Sequence, residues 1–269
     1  MHLIDLHTHL LPHWDDGSDS WETSLAMLRQ GIDDGIREVA CTPHVMSKGD
    51  FDKEDKIIQL FEELKERAEQ AQLDIRLHLG AELFVQPEIN FSRRIATYAA
   101  NGRYFLVEFP MNLIPDFVAK TFFEYVQKEM VPVVAHPERY AKILNDPSRA
   151  YEFVEHGAVL QVNAGSLLGV FGQKVKTTAM KLIDANLVSL VSSDAHDLKM
   201  RPFKLRAAFE LVEAQWGVVK ANRLFSENPH RILYGKELIL EEPVRPSVVY
   251  SKKETNSPLK TILKKIGLG

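Results

Sequence analysis

Short apolar runs alternate with longer stretches of helical apolar spacing along almost the whole chain. Residues 3–6, 36–41, 75–79, 104–109, 131–135, 159–162 and 187–191 read as strands, because each is a brief apolar run bounded by turn residues. Between the first two, Ser18, Asp19 and Ser20 offer capping side chains ahead of Leu25, Leu28 and Ile32, and Gly35 closes that helix. A long helix over 50–73 places Ile57, Leu60, Phe61, Leu64 and Ala68 on one stripe. The spacing predicts further helices over 92–100, 116–129, 148–156, 173–185, 203–215 and 218–225, with a turn at Asn228-Pro229.

Strands that alternate with helices imply a parallel sheet joined by right-handed crossovers. Seven such units fit an α/β fold built as one distorted seven-unit (β/α) barrel better than two domains. The barrel is expected to occupy 1–240. Regularity breaks at Glu241-Glu242-Pro243 and Arg245-Pro246, so 241–269 reads as a C-terminal extension. Its short amphipathic segment sets Leu259, Ile262, Leu263 and Ile266 on one face with lysines opposite. That face suits docking on the body or a second subunit, or peripheral contact with an anionic membrane.

In a parallel α/β barrel, chemistry collects at the C-terminal ends of the strands. Here the first end offers His7 and His9, followed by Asp15-Asp16-Gly17. The second offers His44, the third Glu82, the fourth Glu108 and the fifth His136. The sixth ends in Asn163, and the seventh runs into Asp194 and His196. Six of seven ends thus carry a His, Asp or Glu, types that are rare in apolar surroundings unless paired or ligating. One tetrahedral ion cannot use so many donors, and mixed imidazole and carboxylate shells suit manganese, iron or zinc. Asp5 reads as the hydrogen-bond partner of a ligating histidine, and Asp15 has no role beyond being a neighbour.

Composition narrows the picture further. The net charge is −4, from 33 basic and 37 acidic residues, which argues against a constitutive nucleic-acid binder. The single cysteine, Cys41, excludes an internal disulfide framework and suits a reducing compartment; it reads as a small core residue and not a nucleophile. The N-terminus has no basic n-region, and no apolar run approaches the roughly 20 residues a membrane span needs, so a cytoplasmic protein is expected.

The ordered set His7-x-His9-x-Leu11-Pro12 with Asp15-Asp16-Gly17, Thr42-Pro43-His44, Gly80-x-Glu82, His136-Pro137-Glu138-Arg139-Tyr140, and Ser193-Asp194-x-His196 with Arg201-Pro202 resembles the PHP (polymerase and histidinol phosphatase) metalloenzymes. Within them it is similar to the bacterial manganese-dependent protein-tyrosine phosphatases of capsule and exopolysaccharide operons. The resemblance implies three divalent ions. The first would take His7, His9, Glu82 and Asp194; the second Glu82 as a bridge, Glu108 and His136; the third Asp16, His44 and His196. It implies that Arg139 and Arg201 bind phosphate. The partner it implies is a tyrosine kinase phosphorylated on a C-terminal tyrosine cluster. One departure is His13, where the family commonly has glycine.

The expected reaction is phosphomonoester hydrolysis, with clustered cations lowering the pKa of bound water to supply hydroxide. A phenolate leaving group with a pKa near 10 needs little acid assistance, and no general acid is identified. The nearest rival is a histidinol-phosphate or other small-molecule phosphatase, against which Asp16 and Glu108 stand where histidines would be expected. An amidohydrolase would need an eighth unit and a lysine on the fourth strand. A non-catalytic metal-bound accessory module would not need the full ligand set and both arginines.

Overall fold

A computed structural model describes residues 2–246. The expected alternation is present as parallel strands β1 (Leu3–Thr8), β2 (Ile36–Cys41), β3 (His44–Val45), β4 (Arg76–Leu79), β5 (Glu82–Phe84), β6 (Tyr104–Glu108), β7 (Val131–Ala135), β8 (Val159–Asn163) and β9 (Val188–Ser192). They form two sheets, β1-β2-β4 and β3-β5-β6-β7-β8-β9, in an α/β fold. β1, β6, β8 and β9 are buried along their whole length, as parallel strands covered by helices must be.

The split into two sheets has a local cause. The second and third expected strands each continue past a break, at Thr42-Pro43 and at Gly80-Ala81, into β3 and β5. Pro43 has no N–H to give to a ladder, so the pairing is interrupted there. Gly80 N–H donates to the Cys41 carbonyl (2.9 Å) and Glu82 N–H to the Pro43 carbonyl (3.0 Å), which carries the two paths across together. The result sets His44 opposite Glu82 in register. On the next pair, Phe84 stands opposite Glu108. At the other edge, β9 meets β1 just past the strand ends: Asp194 N–H donates to His7 O and His9 N–H to Ala195 O, both at 2.9 Å. Thr8 and Ala195 form an isolated parallel bridge there.

Side chains divide between two cores, as the period of two requires. The larger core packs the helices against the sheets; the smaller one gathers Ile4 and Leu6 of β1, Ala40 of β2, Leu106 of β6, Val133 and Ala135 of β7, and Leu190 of β9.

Several helices depart from expectation. The first runs Trp21–Asp34, capped by Ser20 and closed by Gly35 in the left-handed region, as the sequence indicates. The stretch 50–73 is two helices, Lys48–Phe51 and Glu54–Gln70. Only two 3₁₀ turns replace the expected helix over 92–100, with Ala99 and Ala100 at positive φ. The turn at Asn228-Pro229 is absent. Helix Val218–Asn222 passes through a π turn, Arg223–Glu227, into Asn228–Leu233, and that wide turn tolerates the missing Pro229 N–H. Buried Asn228 instead donates to the Ser189 carbonyl (2.9 Å), tying this helix to β9.

Beyond residue 240 the chain stays against the body for the few residues described. Val244 N–H donates to Ala185 O at 2.8 Å, and Glu241 pairs with Lys220 and Arg223. The amphipathic segment over 258–266 lies outside the described residues. Among those described, no helix is long and apolar enough to cross a membrane.

Candidate metal centre

All nine candidate ligands converge on one cluster at the strand ends. They fall into four overlapping groups: His9, Asp16, His44 and His196; His7, Glu82 and His136; His7, His9 and Asp194; His44, Glu82 and Glu108. Within each group, one donor atom per residue lies within 4.8 Å of the others. Glu82 is the centre. Its Oε2 is 3.0 Å from His7 Nε2, 3.3 Å from His9 Nε2 and 3.2 Å from His44 Nδ1, while its Oε1 is 3.1 Å from His136 Nε2. Glu108 Oε1 is 3.2 Å from His44 Nδ1, and Asp16 Oδ1 is 3.4 Å from both His44 Nε2 and His196 Nε2.

Three imidazoles are turned with one nitrogen committed outward. His7 Nδ1 donates to Gln161 Oε1 and His9 Nδ1 to Asp15 Oδ2, each at 2.8 Å; His196 Nδ1 donates to the Asp194 carbonyl at 2.9 Å. In each case Nε2 faces the cluster, the orientation that a metal-binding histidine needs.

Asp194 is divided in the same way. Its Oδ2 accepts from Asn163 Nδ2 (2.7 Å) and Arg139 Nη1 (3.0 Å), and it pairs with Arg201. Its Oδ1 faces His7 Nε2 (3.3 Å) and His9 Nε2 (3.6 Å) and is buried without a hydrogen-bond partner, as are His196 Nε2 and His44 Nδ1. Such unpaired buried atoms cost roughly 1–3 kcal/mol each. Imidazole and carboxylate atoms aimed at one small volume, several of them without a partner there, fit divalent cations of the manganese, iron or zinc kind.

The electrostatics agree. Burial works against the Glu82 carboxylate, but His7, His136 and His9 hold its pKa well below the usual range. Burial likewise opposes charge on His7, and Glu82 with Asp194 raise its pKa regardless. His196 is pushed down to about 3 by burial and by neighbouring His9, which keeps it a neutral donor. Anionic carboxylates that hold protons on imidazoles hold metal ions in their place, with release of those protons.

Two of the residues are held in left-handed backbone, His136 at φ 34° and Asp194 at φ 57°. Strain of this kind, about 1–3 kcal/mol, concentrates at functional sites. His13 is also left-handed, at φ 59°, and exposed to solvent, a backbone conformation that glycine adopts without strain.

Some roles differ from those expected. Asp5 does not touch a ligating ring; its carboxylate accepts the backbone N–H groups of His7 and Ser193 (each 3.1 Å), and burial lifts its pKa to about 6. Asp15 has the role expected of Asp5, because it accepts from both the His9 ring and the His44 N–H (3.0 Å). Gln161, absent from the expectations, links His7 to Asn163 (2.8 Å) and so to Asp194. A polar side chain at alternate positions in the buried run Val159–Asn163 was its signal. Glu138 accepts from Asn163 N–H (2.9 Å) and Ser166 Oγ (2.6 Å), fixing β7 to β8 at the rim. Phe171 packs its ring 4.5 Å from the Arg139 guanidinium carbon. Cys41 is fully buried in the core, and burial pushes its thiol up, away from a nucleophile.

Comparison with known proteins gives a consistent result. Residues 3–234 match the family described as capsular polysaccharide synthesis, CpsB/CapC. The chain is 32% identical over 241 residues to the tyrosine-protein phosphatase YwqE of Bacillus subtilis, covering 88% of this chain and 91% of that one. It is 30% identical over 239 residues to the tyrosine-protein phosphatase CpsB of Streptococcus pneumoniae, covering 86% of this chain and 98% of that one. It also superposes with a TM-score of 0.85 and 30% identity on a chain from the crystal structures of YwqE from B. subtilis and CpsB from S. pneumoniae, described as unique metal-dependent tyrosine phosphatases. That match covers 91% of this chain and 100% of the other.

Proposed function

Since this chain belongs to the CpsB/CapC family of capsular polysaccharide synthesis, we propose that its strand-end cluster is the active site of a metal-dependent tyrosine-protein phosphatase. The observation that carries the reading is the cluster itself: nine His, Asp and Glu side chains on one centre, with two arginines anchored on its Asp194.

In this reading three divalent ions, manganese by preference, share the donors. His7, His9, Glu82 and Asp194 would hold the first, Glu82 with Glu108 and His136 the second, and Asp16, His44 and His196 the third. The contacts of Glu82 with four imidazoles support its place in two of these sets. When bound, such ions activate water and neutralise charge on phosphoryl oxygens.

The protein's own side chains do the rest. Arg139 and Arg201 reach the cluster from the β7 and β9 rims and donate to non-bridging phosphate oxygens through a planar fork. Phe171 packs its ring against the Arg139 guanidinium and steadies it. Gln161 and Asp15 hold His7 and His9 in the tautomer that leaves Nε2 free. Phosphoryl transfer is served mostly by positioning and charge, which this arrangement supplies.

The seven-unit barrel is part of the same reading. The rim contacts of β9 with β1 and the small core of alternate strand residues support it. The barrel spans 1–240, and the enzyme works in the cytoplasm on a phosphorylated tyrosine kinase of capsule or exopolysaccharide synthesis, at its C-terminal tyrosine cluster.

The test is turnover by the manganese-loaded protein on a phosphotyrosine peptide beside histidinol phosphate. The expected kcat/KM is at least about tenfold higher on the peptide, which is about 1.4 kcal/mol of transition-state preference. A preference for histidinol phosphate reverses the assignment.

A further inference from the structure

Asn163 is the one expected strand end without a candidate ligand, yet it is fully buried beside Asp194. Gln161, two residues earlier and also fully buried, leaves the same face of β8. Three hydrogen bonds run through this pair in series. Asn163 Nδ2 donates to Asp194 Oδ2 (2.7 Å), Gln161 Nε2 to Asn163 Oδ1 (2.8 Å), and His7 Nδ1 to Gln161 Oε1 (2.8 Å). The Asn163 N–H donates to Glu138 Oε1 (2.9 Å), which fixes the backbone at the middle of the series. His7 stands on β1 and the amides on β8, so the series also crosses from one sheet to the other.

The order of donors and acceptors in the series is forced from one end. Asp194 Oδ2 is a carboxylate oxygen and can only accept, so Asn163 must turn Nδ2 toward it. Asn163 Oδ1 is then an acceptor for Gln161, which must answer with Nε2 and present Oε1 to His7. Flipping either amide alone would set two acceptors or two donors against each other in a buried place, which is costly. The His7 ring is thereby held with Nδ1 toward Gln161 and Nε2 toward Glu82 and Asp194 Oδ1.

His9 offers the contrast. Its ring takes its orientation directly from a carboxylate, Asp15 Oδ2 at 2.8 Å, a common partner for a ligating imidazole. A carboxylate would serve His7 alone equally well. Only an amide accepts at one atom and donates at another, and both ends of Gln161 are used. We propose that Asn163 and Gln161 are positioning residues that orient Asp194 and the His7 ring as one unit, setting two donors of the same metal set together. The proposal rests on the metal-centre reading above and adds the residues that align it.

The experiment measures manganese affinity by calorimetry on metal-stripped protein at about pH 8, where carboxyl groups are ionised. Gln161→Glu keeps an acceptor for His7 but sets a carboxylate against Asn163 Oδ1, and is expected to bind manganese about 10- to 100-fold more weakly than wild type. Gln161→Met, similar in length and uncharged, removes both bonds without burying a charge, and the same loss is expected. The melting temperature of each metal-free variant shows whether the fold is kept. The double variant Gln161→Met with Asn163→Leu should bind about as weakly as the weaker of its two single variants, because residues that act as a unit are not additive. Manganese affinity equal to wild type in Gln161→Glu or in Gln161→Met overturns the proposal, since Gln161 would then serve His7 alone or only fill space. Losses that multiply in the double variant also overturn it. A wild-type protein that binds no manganese overturns the metal-centre reading, and the proposal with it. Wild-type protein that binds manganese yet does not hydrolyse phosphotyrosine overturns the phosphatase reading alone.

Discussion

Asp194→Asn is expected to lose bound metal and to cut phosphotyrosine turnover by at least about 10³-fold, roughly 4 kcal/mol of transition-state stabilisation. The substitution changes one oxygen to an amide, and the structure explains why so small a change should matter. Asp194 is buried and its two oxygens do different work. Oδ2 gathers Asn163, Arg139 and Arg201, while Oδ1 faces the Nε2 atoms of His7 and His9 with no other partner. An amide has one acceptor oxygen and no charge, so it cannot anchor two guanidinium groups and also ligate. Either the NH₂ group faces the histidines and removes a ligand, or it faces the arginines and leaves two partly buried cations without their anion. Metal content by elemental analysis and kcat on a phosphotyrosine peptide check both halves. Retained metal with full turnover would remove Asp194 from the site.

Arg201→Ala has the second-largest expected effect, and it should separate substrate binding from metal binding. The Arg201 side chain pairs with the Oδ2 side of Asp194, away from the Oδ1 that faces the histidines. Its backbone is fixed independently: the Arg201 carbonyl accepts from His196 and Asp197 N–H groups, and its N–H donates to Asp197. The variant should therefore keep its metal content while KM for the phosphopeptide rises about 10- to 100-fold, the loss of one or two charge-assisted hydrogen bonds to phosphate. Arg201→Lys restores charge but not the planar fork, and should recover only part of the affinity. An unchanged KM in Arg201→Ala would show that the arginine serves Asp194 alone.

The strand ends were legible because burial and chemistry conflict there. A histidine or carboxylate that ends an apolar run is costly unless it has a purpose, and His7, His44, Glu82, Glu108, His136 and Asp194 each broke an otherwise apolar pattern. Asp15 and Asp5 show the limit of that reasoning. Period-two alternation put Asp5 on the histidine face, yet the extended chain turns its carboxylate toward the amides of His7 and Ser193. Asp15 reaches the His9 ring only because the 10–17 loop folds back, with Gly17 packed so closely on His9 that a Cβ would lie 2.2 Å from its carbonyl oxygen. Such a loop path has no periodic signature. The breaks at Pro43 and Gly80, and the left-handed backbones of His136 and Asp194, are also set by the tertiary fold. The π turn before Pro229 belongs with these, since Asn228 answers to β9 and not to its neighbours in sequence.

Bound metal and turnover followed together test the central claim most directly. Protein stripped of metal by chelation and dialysis is titrated with manganese, while bound ions per chain and phosphotyrosine hydrolysis are read on the same samples. The proposed three-ion centre predicts negligible turnover without metal and recovery in step with binding, toward three ions per chain. A ligand at about 100 times its dissociation constant stabilises the fold by roughly 2.7 kcal/mol, so the melting temperature should rise by about 5–10 °C over the same titration. Full turnover by the stripped protein, with its melting temperature unmoved by manganese, would contradict the account.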